Sequence, residues 1–454
     1  MTILKILSGL IFGLSIVVFF HELGHYIAAR LAGIKVEAFS IGFGPALFSF
    51  KRKGTIYKIS LLPLGGYCKL KGETAFQEAL EKNLNSIPRE PQSFFSASPL
   101  KRIAVSLAGP MGNIIFAFII VTLLWTIGFT VYAPPAKIVL ESDYPLLKQE
   151  TYPATEAGMQ SGDLIKKINN VNIENFRDIL EIIPTSGGKN LKITIERDGE
   201  EKELFVKPIK NPNTGTYRIG VYPWIEPVID YVEKNSSADI AGLMQGDRIL
   251  AINDTKINNT MELNYYITQN RPSKIKLTLL RNNYKKDITL VPIYYDQEVK
   301  LGIGFRLEQY RQYTKNPLEA VKKAFLEIGT ILKQNIIGLS TLFSPAAKNT
   351  VAGPISISYY MGDMLSQGIS GKNKAGLSPF IELLAIISIA LGIMNLLPIP
   401  IMDGGQILIF FIEWIKRKPL HPKTMYRYQI TGAFIALILF IIVLSLDLTT
   451  VSNF

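Results

Sequence analysis

One cysteine among 454 residues, Cys68, has no second thiol to pair with, which excludes an internal disulfide and leaves it reading as a small buried residue. Histidine is nearly as scarce, at three residues. A small-x-small cleavage site is missing after the first apolar run, which begins at Ile3, so that run is expected to stay as an anchor and not be removed as a leader. What remains is a chain rich in apolar residues: 48% are hydrophobic and the mean hydropathy is +0.22.

Four runs are long enough to span a bilayer, about Ile3 to Arg30, Ile103 to Tyr132, Phe380 to Pro400 and Tyr428 to Leu446, each near the roughly twenty residues required. The chain therefore reads as a polytopic α-helical membrane protein with four transmembrane helices. A net charge of +12 suggests a polyanionic partner, but its placement gives another reason. Between Ala28 and Arg102 there are twelve Lys or Arg against five acids, and a second basic cluster, Lys416-Arg417-Lys418 with Lys423 and Arg427, joins the last two spans. Positive charge collects on cytoplasmic loops, which puts both termini and the large middle segment outside. The charge thus records topology and lipid contact, and no nucleic-acid partner is expected.

His21-Glu22-Leu23-Gly24-His25 sits inside the first run, where unpaired charge costs several kcal/mol. On a helix, His21 and His25 lie one turn apart on the same face, so both can reach one tetrahedral metal ion. Glu22, beside the first ligand, is placed to polarise a metal-bound water and shuttle its proton. Histidines satisfying hydrogen bonds in a bundle core are the alternative. With three His in the chain, a chance H-E-x-x-H arises in roughly one such sequence in a thousand, so chance is the weaker account.

From Phe39 to Leu70, short apolar or alternating segments separated by glycines read as β-hairpins. Open strand edges cannot face lipid, so this segment belongs at the interface or against the metal-bearing helices. It offers an edge for an unwound peptide by strand addition, or serves only as an interfacial loop. The second span opens with Ala108-Gly109-Pro110-Met111-Gly112-Asn113, whose small residues permit close helix approach; Asn113 brings an amide into the bundle, for packing or for substrate contact.

Residues from about Pro134 to Tyr295 are charged, rich in β-branched residues and repeated. Ala157-Gly158 recurs as Ala241-Gly242, Gly162-Asp163 as Gly246-Asp247, Arg197 as Arg281, and Pro208-Ile209 as Pro292-Ile293, all at a shift of 84 residues. Two copies of one α/β domain follow each other. Their order of elements resembles the circularly permuted PDZ domain of bacterial envelope proteases. The resemblance implies a peptide groove; a rigid size filter that binds nothing is the alternative. Pro317 to Phe343 then reads as an amphipathic helix on the outer leaflet, with Phe325, Ile328, Ile331, Leu332 and Ile336 on one face, or as a helix packed on the core.

At the end of the third span comes Asn395-Leu396-Leu397-Pro398-Ile399-Pro400-Ile401-Met402-Asp403-Gly404-Gly405. Two prolines must interrupt the helix, which is tolerated at membrane depth where the break lines a cavity. The first and third spans run in the same direction, so Asp403 arrives near His21 and His25 and is expected to complete an open His, His, Asp set. A turn residue before Gly-Gly is the alternative for Asp403.

Together, these stretches are similar to the site-2 protease family of intramembrane metalloproteases, along essentially the whole chain. The resemblance implies one zinc ion held by His21, His25 and Asp403, with Glu22 as general base. It implies substrate positioning by Asn395 and Pro398, and by the strand segment carrying Gly42, Gly44, Gly65 and Gly66. It further implies a monomeric zinc metalloendopeptidase of the bacterial inner membrane, active near the cytoplasmic side, with periplasmic PDZ-like domains. Its substrate would be a single-span membrane protein such as an anti-sigma factor, cut first by a site-1 protease. The expected organisation is a first helix over 1–30, a cytoplasmic or interfacial hairpin loop over 31–101, and a second helix over 102–133. PDZ-like domains over 134–220 and 221–300 follow, then surface helices over 301–375, a third span over 376–405, and a loop with the fourth helix over 406–454. A non-catalytic scaffold would have no need of Glu22, and a metal transporter would need ionisable groups along several spans, whereas here they gather at one depth.

Overall fold

The computed structural model describes residues 2–145, 151–211, 216–295, 298–341, 353–370 and 375–451. They form two compact units, 1–130 with 311–454, and 131–310. Among the described residues, four helices are long and apolar enough to cross a membrane: Ile3–Leu31, Pro99–Ile127, Ser378–Leu396 and Pro422–Ser445.

The first begins as α1 (Thr2–Gly9), widens into a π turn at Leu10–Leu14 and continues as α2 (Ser15–Leu31). Two long strands follow, β1 (Val36–Arg52) and β2 (Thr55–Leu70), and they bend so that four segments lie side by side. Residues 38–41 pair with 66–69 on one side and with 56–59 on the other, and 56–59 pair in turn with 48–51. A series of short hairpins was the expectation; long-range pairing makes one curled sheet instead. Helix α3 (Glu73–Glu81), inside the stretch expected to be hairpin loop, packs Phe76 beside Phe94 and Phe95. Then comes α4 (Pro99–Ile127), which meets α2 backbone to backbone: a Cβ on Gly24 would stand 2.0 Å from the Ala108 carbonyl oxygen, and one on Gly112 would stand 2.5 Å from that of Phe20.

In the other unit the repeat is structural. The first copy has a four-stranded sheet of β3 (Leu164–Ile168), β4 (Val171–Asn172), β5 (Leu191–Arg197) and β6 (Glu200–Val206) in the order β4-β3-β5-β6, with α5 (Phe176–Ile182). The second repeats it with β7 (Arg248–Ile252), β8 (Thr255–Lys256), β9 (Ile275–Arg281), β10 (Tyr284–Leu290) and α6 (Thr260–Asn270), order β8-β7-β9-β10. Each Gly-Asp turn has the same use: the nearly inaccessible Asp163 accepts from Arg197 Nε at 2.7 Å, and Asp247 from Arg281 Nε at 2.7 Å. The shared arginine also donates to the Gly158 or Gly242 carbonyl, which closes the turn onto the sheet.

Back in the first unit, α7 (Pro317–Thr341) packs Ala324, Ile328 and Ile331 with Ala117, Val121, Ala385 and Ile389. Residues 342–343 of the expected helix lie outside the described residues. Phe325 and Ile336, expected on the same face as Ile328, point away and are exposed. Helix α8 (Pro354–Ile369), placed by expectation among surface helices, instead crosses α1 so closely that a Cβ on Gly362 would lie 1.7 Å from the Lys5 carbonyl oxygen. The third span is α9 (Ser378–Leu396); the chain is broken over 397–402, and α10 (Asp403–Lys416) starts at once where a loop was expected after residue 405. The last helix is α11 (Pro422–Val451).

Candidate metal centre

His21 and His25 project from α2 toward α4 and meet the first residue of α10. His21 Nε2 lies 3.3 Å from His25 Nε2 and 3.2 Å from Asp403 Oδ2, and His25 Nε2 lies 3.4 Å from Asp403 Oδ1. Ligands at zinc–nitrogen and zinc–oxygen bond lengths in a tetrahedron stand about 3.3 Å apart, so three corners of such a site are already in place.

The ring orientations agree. His25 Nδ1 donates to the Val105 carbonyl oxygen at 2.8 Å, which leaves a lone pair on Nε2 in the neutral ring. That lone pair faces a second imidazole nitrogen and a carboxylate, an arrangement that repels itself without a cation between them. Asn113, fully buried, places its amide 3.3 Å from His21 Nδ1, and its Oδ1 has no partner among the described residues. Turning the amide by 180° exchanges its ends, so that Oδ1 accepts from His21 Nδ1–H and the orphan is satisfied. Space completes the fit: a Cβ on Gly109 would come within 2.3 Å of His25 Nε2 and 2.9 Å of His21 Cε1. Glycine keeps α4 from filling the volume the donors surround.

The break over 397–402 delivers Asp403. Gly404 and Gly405 let α10 start directly beneath it, since a Cβ on either would stand 2.2 Å from the Leu396 or Ile399 carbonyl oxygen. Asn395 is half-buried in the last turn of α9, and Pro398 is exposed in the break. Of the strand glycines, Gly66 comes nearest the chemistry: a Cβ there would lie 3.4 Å from Glu22 Cγ. Residues 66–69 belong to an outer segment of the curled sheet, paired with β1 on one side only. Gly42, Gly44 and Gly65, with φ of +84°, +85° and +142°, shape the bend farther along.

Sequence reasoning did not anticipate the Val105 carbonyl or the role of Gly109. A backbone acceptor carries no residue signature, and a glycine in a span signals helix contact before it signals a ligand cavity.

Cys68, next to this edge, has its thiol pushed up to about 12, by burial first and by the nearby Glu22 charge second. At pH 8 about one thiol in ten thousand is then ionised. Iodoacetamide is expected to leave Cys68 unmodified in the folded protein and to label it fully after denaturation; rapid labelling of the folded form, followed by mass spectrometry, would contradict this placement.

The signature of Peptidase family M50 matches residues 9–439. A Treponema pallidum protein named as a zinc metalloprotease is 34% identical over 438 residues, covering 96% of this chain and 97% of its own. Protease RseP of Yersinia pestis is 30% identical over 465 residues, covering 97% of each chain. The regulator of sigma-E protease RseP of Escherichia coli is 29% identical over 463 residues, covering 95% of this chain and 96% of its own.

Proposed function

The chain belongs to peptidase family M50 and is a zinc metalloendopeptidase of the membrane, and on that premise we propose that it cuts single-span membrane proteins within their transmembrane segments, after an earlier extracytoplasmic cut. The observation that carries this reading is the convergence of His21, His25 and Asp403 within 4.8 Å of one another, with both histidines on a helix apolar enough to span, beside Glu22 and the outer segment of the curled sheet.

In this reading His21, His25 and Asp403 hold the ion. Zinc, when bound, supplies a Lewis acid toward a carbonyl oxygen and a water that loses its proton more readily. Glu22 takes that proton and returns it to the leaving amide nitrogen. Substrate must present an extended backbone, because a helix hides its carbonyls in internal hydrogen bonds. The outer segment at Gly66–Leu70, which pairs with β1 along one side, offers its outer side to such a strand and runs past Glu22, which aligns the peptide with the base. Asn395 and Pro398, at and after the end of α9, are assigned the same task, with Asn395 as an amide donor to substrate. Asn113 holds the His21 ring.

The two repeats are PDZ-like domains on the periplasmic side of a bacterial inner membrane, with the metal centre toward the cytoplasm. The second contains a cleft of about 320 Å³ between α6 and the strand Ile303–Phe305, lined by Ile225, Met261, Leu263, Ile267 and Phe305. That shape suits an apolar peptide end added beside the strand, and it favours a peptide-binding role over a passive size filter. Since one relative is named a regulator of sigma-E, an anti-sigma factor trimmed first by a site-1 protease is the substrate we infer.

The test is cleavage of a tagged single-span substrate by purified protein in detergent, beside a chelated sample. Product from the untreated enzyme alone, restored by added zinc, is expected. No product across several substrates, with one zinc bound per chain, would point to a scaffold.

A further inference from the structure

We propose that Arg102 and Glu413 are a positioning pair that sets the rotation and depth of α10, and with them the reach of Asp403 toward the histidine nitrogens. The proposal rests on the ligand set given above. Arg102 Nη2 lies 2.5 Å from Glu413 Oε2, and the two residues are 6% and 2% exposed. The other Glu413 oxygen accepts from the backbone N–H of Leu420 at 2.7 Å, just beyond the left-handed Arg417 that ends α10. The Arg102 guanidinium also covers the Phe410 ring, 4.6 Å from its centre, one turn earlier on α10. One side chain of α4 thus grips α10 at two points, and Glu413 grips the chain that leaves it.

Both helices lead into the metal centre. Arg102 stands one turn before Val105, whose carbonyl orients His25, and α10 begins with Asp403 itself. Glu413 is about 15 Å along the helix axis from Asp403. At the Asp403 end the helix is fixed by Gly404 and Gly405 against the break, and at the far end by the ion pair. A rigid rod held at both ends cannot withdraw its first carboxylate. The alternative use, stability, is a poor reason for the pair, because burying two charges costs about what their attraction returns. A directional pair in apolar surroundings accepts one helix register and penalises the rest, and that property serves a ligand which must arrive within a few tenths of an ångström.

The experiment compares the full-length protein with the double variant Arg102→Met/Glu413→Leu and with Arg102→Lys, measuring zinc affinity by chelator competition, the visible spectrum of the cobalt-loaded protein, and kcat and KM separately. The double variant leaves no buried charge unpaired; the Leu420 N–H loses its acceptor, so it is expected to fold and to melt within several degrees of the parent. It is expected to hold zinc about tenfold more weakly or worse, with altered cobalt bands, a lower kcat and an unchanged KM. Arg102→Lys, which keeps the charge but loses the planar guanidinium over the Phe410 ring, is expected to fall between them. A double variant, or a lysine variant should the double not fold, with the parent's zinc affinity, cobalt spectrum and kcat would overturn the proposal. Asp403→Asn separates the two levels: if it binds zinc like the parent, the ligand set fails, whatever the pair does.

Discussion

Replacing Glu22 by Gln is expected to lower cleavage by about 10²- to 10⁴-fold, the contribution of a positioned general base, while one zinc per chain is retained. The amide matches the carboxylate in size and still sits beside Gly66, so the curled sheet has no reason to move. What it cannot do is take a proton. Glu22 is also outside the set of donors that lie within 4.8 Å of one another, which is why metal content should be indifferent to the change. Metal analysis, a melting curve and a cleavage assay on one preparation separate the roles. Cleavage within tenfold of the parent would remove Glu22 as the base, and loss of zinc would recast it as a ligand.

How far such a site can be read from sequence depends on whether side chains or backbone do the work. His21 and His25 are legible because helical geometry alone puts them on one face, and Asp403 because span direction fixes its depth. The helix break is legible from Pro398 and Pro400. The partners of these groups are not. Val105 acts through its carbonyl, and Arg102, counted by sequence among the basic residues that fix topology, finds Glu413 at a separation of 311 residues. Nothing local to either residue announces the pairing.

The membrane adds a reason of its own. A soluble helix shows its buried face by contrast with a polar one, but a helix facing lipid on one side and protein on the other is apolar on both. Hence the sequence pattern of α7 offers Phe325, Ile328 and Ile336 for a single face, whereas Ile328 packs inward and the other two remain exposed. Small residues are the better guide there, since they mark backbone contact whatever surrounds it. Gly9 and Gly362 mark the crossing of α1 and α8, and Gly24 and Gly112 that of α2 and α4. In the repeats, by contrast, water restores the contrast. There an offset of matching residues points to two copies of one domain, and two sheets share one strand order.

Gly109→Ala carries the second large expectation, because it tests the cavity and not the ligands. In a helix interior alanine is favoured over glycine by roughly 0.5–1 kcal/mol, so local propensity argues for a more stable protein. The surroundings argue the other way. The added methyl would stand 2.3 Å from His25 Nε2 and 2.6 Å from its Cε1, and α4 cannot retreat while Gly24 and Gly112 hold it against α2. The imidazole must therefore swing, giving up the 2.8 Å hydrogen bond to Val105 and the aim of Nε2. Zinc affinity is expected to fall on the order of 100-fold, the upper range for disturbed ligand orientation, and cleavage to fall with it. Gly329→Ala on α7, where a Cβ meets nothing within 4 Å, supplies the comparison: it should gain slightly in melting temperature and keep both zinc and activity. A Gly109→Ala protein that binds one zinc as tightly as the parent and still cuts would mean that the ion sits elsewhere than between these two rings.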